Sequence, residues 1–164
     1  MKVVFEIFVP MYVKKWLFVT HKCDDGNIVK IRRNSLTGLA TDLGCEIELC
    51  YAHRYRPRPE AGLELIKIEM QADTKNVGLT TSQGVRLAVL LEKQMRAECV
   101  AYVRGFLSVF DSLPDDWQGI DDQRPEITKE ARYRKPLLDF RAKYGIDDDD
   151  LEYDRLRKWY RDVQ

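Results

Sequence analysis

Three groups of residues have the types and spacing to do chemistry. The first is His21-x-Cys23 with Cys45-x4-Cys50-x2-His53. Thiolates and imidazoles are zinc ligands, and two such pairs on neighbouring strands suit a tetrahedral site. The spacing argues against it: Cys45 and Cys50 are an odd number of residues apart, so on a regular strand they point to opposite faces. More simply, the thiols are small core hydrophobes and the histidines lie at the surface. No metal or other cofactor is expected.

The second group is Arg32-Arg33 with Arg54-Tyr55-Arg56-Pro57-Arg58. Guanidinium groups interleaved with an aromatic ring suit phosphate contact and base stacking. The plainer alternative is a solvated loop whose arginines meet Glu46, Glu48 or Glu60.

The third group lies at the C-terminal end. Residues 137–144, a Gly145-Ile146-Asp147 turn and residues 150–162 resemble a helix–turn–helix in outline. On a helical wheel Tyr153, Leu156, Trp159, Tyr160 and Val163 fill one arc, and Arg155, Arg157, Lys158 and Arg161 the opposite one. Asp154 and Asp162 fall within the basic arc and lower its charge. The run Asp147 to Asp150 would also repel phosphate from the helix N-terminus, the end that usually meets base edges. The alternative is an amphipathic helix with a solvated face, supported by pairs such as Asp154/Lys158 and Asp139/Lys143. The same acidic run lacks the ligand spacing of a calcium loop and suits helix capping better.

Catalytic signatures are missing. There is no phosphate-cradling Gly-rich loop, no G-x-S-x-G and no H-E-x-x-H. Cys50 and His53 are near in sequence, but nothing supplies a third, orienting group. The chain is therefore expected to be non-enzymatic.

Total charge narrows the partners. The 164 residues carry 27 Lys and Arg against 27 Asp and Glu. A strongly basic total would favour nucleic acid or an anionic membrane as a whole-surface partner; a neutral one requires any electrostatic site to be local. The hydrophobic fraction of 45% is that of an ordinary globular chain with a sizeable core. No run approaches the roughly 18 apolar residues of a membrane span. The start of the chain lacks a secretory pattern, because Glu6 interrupts the apolar segment. The expected setting is cytoplasmic with reduced cysteines and no membrane contact.

The elements that position these groups divide by type. Val3 to Val9 alternates as a strand ending at Pro10, with Val3, Phe5, Ile7 and Val9 on one face. Met11 to Leu17 suits one or two helical turns, with Pro10 at their start. Leu17 to Lys22 is expected to be extended and to form a hairpin with Ile28 to Ile31 across Asp24-Asp25-Gly26-Asn27. Glu46 to Ala52 and Leu63 to Gln71 alternate as further strands. Ile66, Ile68 and Met70 form the apolar face of the last.

Residues 81–110 form the strongest helical pattern, with Ala88, Leu91, Met95, Cys99, Tyr102, Phe106 and Val109 at three- and four-residue steps. Lys129 to Tyr144 is helical, with a break or kink expected near Tyr133–Lys135 from Pro136. Gly145 stops it, and a last helix runs to about Asp162. The fold expected is α+β: an N-terminal antiparallel or mixed sheet of four to five strands packed on a long helix, followed by a C-terminal helical segment. The corresponding divisions are an α+β domain over 1–111, a linker over 112–127 and the helical segment over 128–164.

The motif Phe5-x-Ile7-x-Val9-Pro10-x-Tyr12-Val13-Lys14-Lys15-Trp16-Leu17, with the ending Phe140-x3-Tyr144-Gly145-Ile146-x4-Leu151-x-Tyr153-x2-Leu156-x-Lys158-x-Tyr160, resembles small uncharacterised proteins encoded by bacterial prophages and integrated mobile elements. The resemblance covers the two ends of the chain and brings no assigned site residues. It implies a bacterial, genome-handling or regulatory setting. Together these features point to a nucleic-acid-associated accessory or regulatory protein. DNA or RNA would be the partner, held by Arg32, Arg33, Arg54, Tyr55, Arg56, Arg58, Arg157, Lys158 and Arg161. The alternative is an interaction or assembly module. It would dock a protein partner or a second copy through the apolar helix or the aromatic C-terminal helix.

Overall fold

The computed structural model describes residues 2–23, 28–31, 62–71, 81–111 and 129–162. The chain is α+β and divides into two compact units, Met1–Met95 and Arg96–Gln164.

In the first unit, strand β1 (Lys2–Pro10) leads directly into helix α1 (Met11–Thr20), and strands β2 (Ile28–Lys30) and β3 (Leu63–Gln71) follow. The sheet order is β1-β3-β2, with β1 antiparallel and β2 parallel to the central β3. The alternation in sequence explains the register. Phe5 lies opposite Ile68 and Ile7 opposite Ile66, while Val29 continues the Phe5–Ile68 row on the other side. All five side chains are buried. Each fully buried aliphatic contributes about 1.5–3 kcal/mol, so this face holds the strands in register. The opposite face is charged: Lys67 Nζ meets Glu6 at 3.4 Å and Lys2 Nζ meets Glu69 at 2.9 Å. Helix α1 adds Tyr12, Val13, Trp16 and Leu17 to the core.

The described residues contain three strands; the expected strand at Glu46–Ala52 lies outside them. The hairpin expected for Leu17–Lys22 does not form. Helix α1 continues to Thr20, and β2 pairs with β3 instead. The end of α1 shows why. Lys22 N–H donates to the Val19 carbonyl at 3.3 Å and Cys23 N–H to the Phe18 carbonyl at 2.9 Å, the paired bonds of a Schellman cap. Lys22 sits at φ 49°, in the left-handed conformation such a cap requires.

Helix α2 (Thr81–Asp111) contributes to both units. Its buried row is Leu87, Leu91, Met95, Cys99 and Val103, a strict four-residue step. Val109, expected on the apolar face, is exposed. A four-residue step drifts about 40° per turn around the helix, which carries Val109 off the buried row.

In the second unit, helix α3 (Lys129–Lys143) and helix α4 (Tyr153–Arg161) pack with the later half of α2. Among the described residues no helix is long and apolar enough to cross a membrane.

The break expected near Tyr133–Lys135 is absent, for α3 runs through Pro136. The missing N–H would have met the carbonyl of Arg132, so α3 continues with one backbone hydrogen bond fewer. Pro136 itself is buried. The linker expected at 112–127 lies outside the described residues.

Candidate nucleic-acid interface

The turn between α3 and α4 is built from local chemistry. Gly145 sits at φ 61°, where an L side chain is strained. Its N–H donates to the Ala142 carbonyl at 3.1 Å and the Ile146 N–H to the Arg141 carbonyl at 3.0 Å, a second Schellman cap. The acidic run does not cap α4. Asp147 N–H donates to the Asp150 carboxylate at 2.9 Å, and Leu151 N–H to the Asp147 carbonyl at 3.0 Å, so the run closes a turn of its own. Glu152 takes the N-cap position of α4 without a side-chain cap bond, and Asp154 is the acid of the first turn.

Arg141 fastens this turn to α3. Its side chain is buried, with Nη1 2.5 Å from Asp148 Oδ1 and Nε donating to the Ile146 carbonyl at 3.3 Å. Facing α2, the Tyr144 hydroxyl donates to Glu98, and Lys143 Nζ stands 3.8 Å from the same carboxylate. The Tyr102 and Phe140 rings pack 5.9 Å apart beside this contact.

Aromatic contacts then set α4 against the start of α3. The Tyr133 and Tyr160 rings lie 5.4 Å apart, and the Arg134 guanidinium stands 5.9 Å from the Tyr153 ring. Arg134 and the Arg157–Arg161 face of α4, distant in sequence, therefore share one edge. Tyr153, Arg157 and Arg161 follow one another at four-residue steps along α4, so they form one row that begins beneath Arg134. Lys158 and Asp154 stand next to that row.

The acids expected to weaken this face are partly diverted. Asp162 turns to Arg96 of α2 at 3.4 Å. Asp154 pairs with Arg157 at 3.6 Å rather than with Lys158, and Lys143 meets Glu98 rather than Asp139. The Asp154 side chain is 77% exposed and that of Arg157 36%, so the pair is weak. Lys158 and Arg161 are exposed and form no ion pair among the described residues. Arg155 lies over the Trp159 ring at 5.8 Å, on the other side of the helix. The edge thus presents Arg134, Arg157, Lys158 and Arg161, with Asp154 embedded among them.

Three predicted residues, Arg157, Lys158 and Arg161, fall on this edge. Arg32, Arg33, Arg54, Tyr55, Arg56 and Arg58 lie outside the described residues. Arg134 was not anticipated. Its signal was present in Arg132-Tyr133-Arg134, the same interleaving of arginine and aromatic that singles out residues 54–58. The expected break at Pro136 separated it from the helix that carries it.

Of the zinc candidates, His21 and Cys23 are described, and Cys45, Cys50 and His53 are not. Among the described residues no three His, Cys, Asp or Glu side chains group as a metal site. Burial, helped by the neighbouring Glu98 charge, pushes the Cys99 thiol up to about 12. It stays protonated at neutral pH, a poor nucleophile and a poor ligand. Trp159 and Tyr160, the aromatic residues considered for docking a partner, are buried at 6% and 5% exposure.

The chain matches no protein family, no curated protein and no solved structure.

Proposed function

We propose that this chain is a non-enzymatic, nucleic-acid-associated accessory or regulatory protein, of the kind its ends suggest for a bacterial mobile element acting in the cytoplasm. The observation that supports it is the edge joining α3 to α4. There Arg134, Arg157, Lys158 and Arg161 are gathered by the Tyr133–Tyr160 and Arg134–Tyr153 contacts on a chain of zero net charge. Cations concentrated on one edge of a neutral protein are the footprint of a local polyanion contact. Arg32, Arg33, Arg54, Arg56 and Arg58 would make phosphate contacts of their own, and Tyr55 would offer a stacking surface.

Fluorescence anisotropy with mixed DNA and RNA tests this at low and high salt. Salt-sensitive binding with Kd below about 100 μM is expected, the range of non-specific binders. Its absence rules the proposal out.

One observation favours the rival, an interaction module. Val85 and Val89 lie one turn apart on α2 and are 57% and 45% exposed. Light scattering separates the two: a concentration-dependent dimer that persists at high salt favours the rival, and a strict monomer removes the second-copy form of it.

A further inference from the structure

We infer that the α3–α4 edge grips the sugar–phosphate backbone of a duplex and does not read bases. This rests on the nucleic-acid function proposed above and adds the class of substrate to it.

Two other modes of contact are disfavoured at this edge. Single-strand binding uses exposed aromatic faces on which bases stack. Here Trp159 and Tyr160 are buried, Tyr133 packs on Tyr160, and Arg134 stands over Tyr153. The exposed basic groups are Arg134, Lys158 and Arg161, with Asp154 beside them. Major-groove reading by a recognition helix uses residues at the helix N-terminus. On α4 that end carries Glu152 at the N-cap and Asp154 in the first turn, with an Asp154 side chain 77% exposed. A phosphate chain is repelled there and attracted toward Arg157, Lys158 and Arg161 at the other end. What remains is contact that positions a nucleic acid without specifying its sequence.

The spacing suits a regular backbone. Arg157 and Arg161 are separated by about 6 Å along the helix axis, from a rise of about 1.5 Å per residue. A DNA strand carries one phosphate per about 3.4 Å of axis, so with the two axes parallel this separation is about two phosphate intervals. A duplex offers twice the charge density of either strand and holds it in a fixed lattice, matching a cation row held on rigid helices.

The test uses the full chain and anisotropy with two labelled duplexes of unrelated sequence and their separate strands. Both duplexes are expected to bind within about threefold of each other, since phosphate contacts carry no sequence information. Each should bind tighter than its own strands. The double variant Lys158→Gln/Arg161→Gln should weaken both duplexes by the same factor. Tighter binding to single strands, or more than about tenfold preference for one duplex, overturns this inference and leaves nucleic-acid binding standing. Failure to bind any of them in a salt-sensitive way overturns both.

Discussion

The Tyr133 ring lies 5.4 Å from that of Tyr160, tilted by 40°. One ring stands near the start of α3 and the other near the end of α4, so this contact closes the helix pair at the end away from its turn. Arg134, Arg157, Lys158 and Arg161 share an edge because of it. Aromatic pairs in such tilted geometry contribute about 0.5–1.5 kcal/mol beyond their burial. A double-mutant cycle with Tyr133→Leu and Tyr160→Leu in urea should give a coupling energy in that range. Strict additivity would show that the rings do not hold the pair together.

The opposite end is held by Arg141 and Asp148, and removing either partner should have unequal effects. Asp148→Ala leaves a buried guanidinium with only the Ile146 carbonyl, at a cost of about 1.5–3 kcal/mol. Arg141→Met leaves an exposed carboxylate and takes one donor from the Ile146 carbonyl, but it buries no unpaired charge and fills the same space with an apolar side chain, at a smaller cost of about 1 kcal/mol. Urea titration of both variants checks the order, and the reverse order would contradict the buried arrangement.

Lys22 occupies a left-handed position at the end of α1 that glycine adopts freely. Lys22→Gly should raise stability by about 1 kcal/mol, seen as a higher Tm. A lower Tm would show that α1 does not end in this cap.

His21 follows α1, and its Nε2 is buried with no hydrogen-bond partner among the described residues. Burial holds the imidazole below its ordinary 6.5. A depressed pKa means that the unfolded chain takes up the proton first as pH falls. The His21 contribution is thus complete above pH 6.5 and is lost as pH drops through the lower, folded-state value. His21→Phe keeps a ring and cannot titrate. It should be at least as stable at pH 7.5 and lose less stability than wild type on acidification to pH 5.5. Equal loss in both proteins would exclude His21 as a contributor.

The two strongly alternating strands were legible from sequence, because their period places Phe5, Ile7, Ile66 and Ile68 on one face whatever the partner strand. Pairing was not legible. Asp-Gly between apolar runs resembles a hairpin, but the left-handed turn at Lys22 ends a helix there, and β2 finds its partner far along the chain. The acidic run does not cap α4, for a similar reason. Its charge suits a helix N-terminus, but Arg141 and the Asp147 backbone claim two of its carboxylates first.

The basic arc of α4 was legible as periodicity. Its complement Arg134 was not, because that side chain reaches the same edge only through packing of one helix on another.

In the function proposed above, Lys158 and Arg161 meet phosphate. The most direct measurement is the slope of log Kd against log salt for the wild-type chain and for Lys158→Gln/Arg161→Gln, with circular dichroism to confirm that both are folded. Each lost phosphate contact lowers the magnitude of the slope by about 0.9 on duplex DNA. A decrease of about 2 in the folded double variant is the predicted result. An unchanged slope in a folded variant would show that phosphate is met elsewhere on the chain and would contradict the assignment.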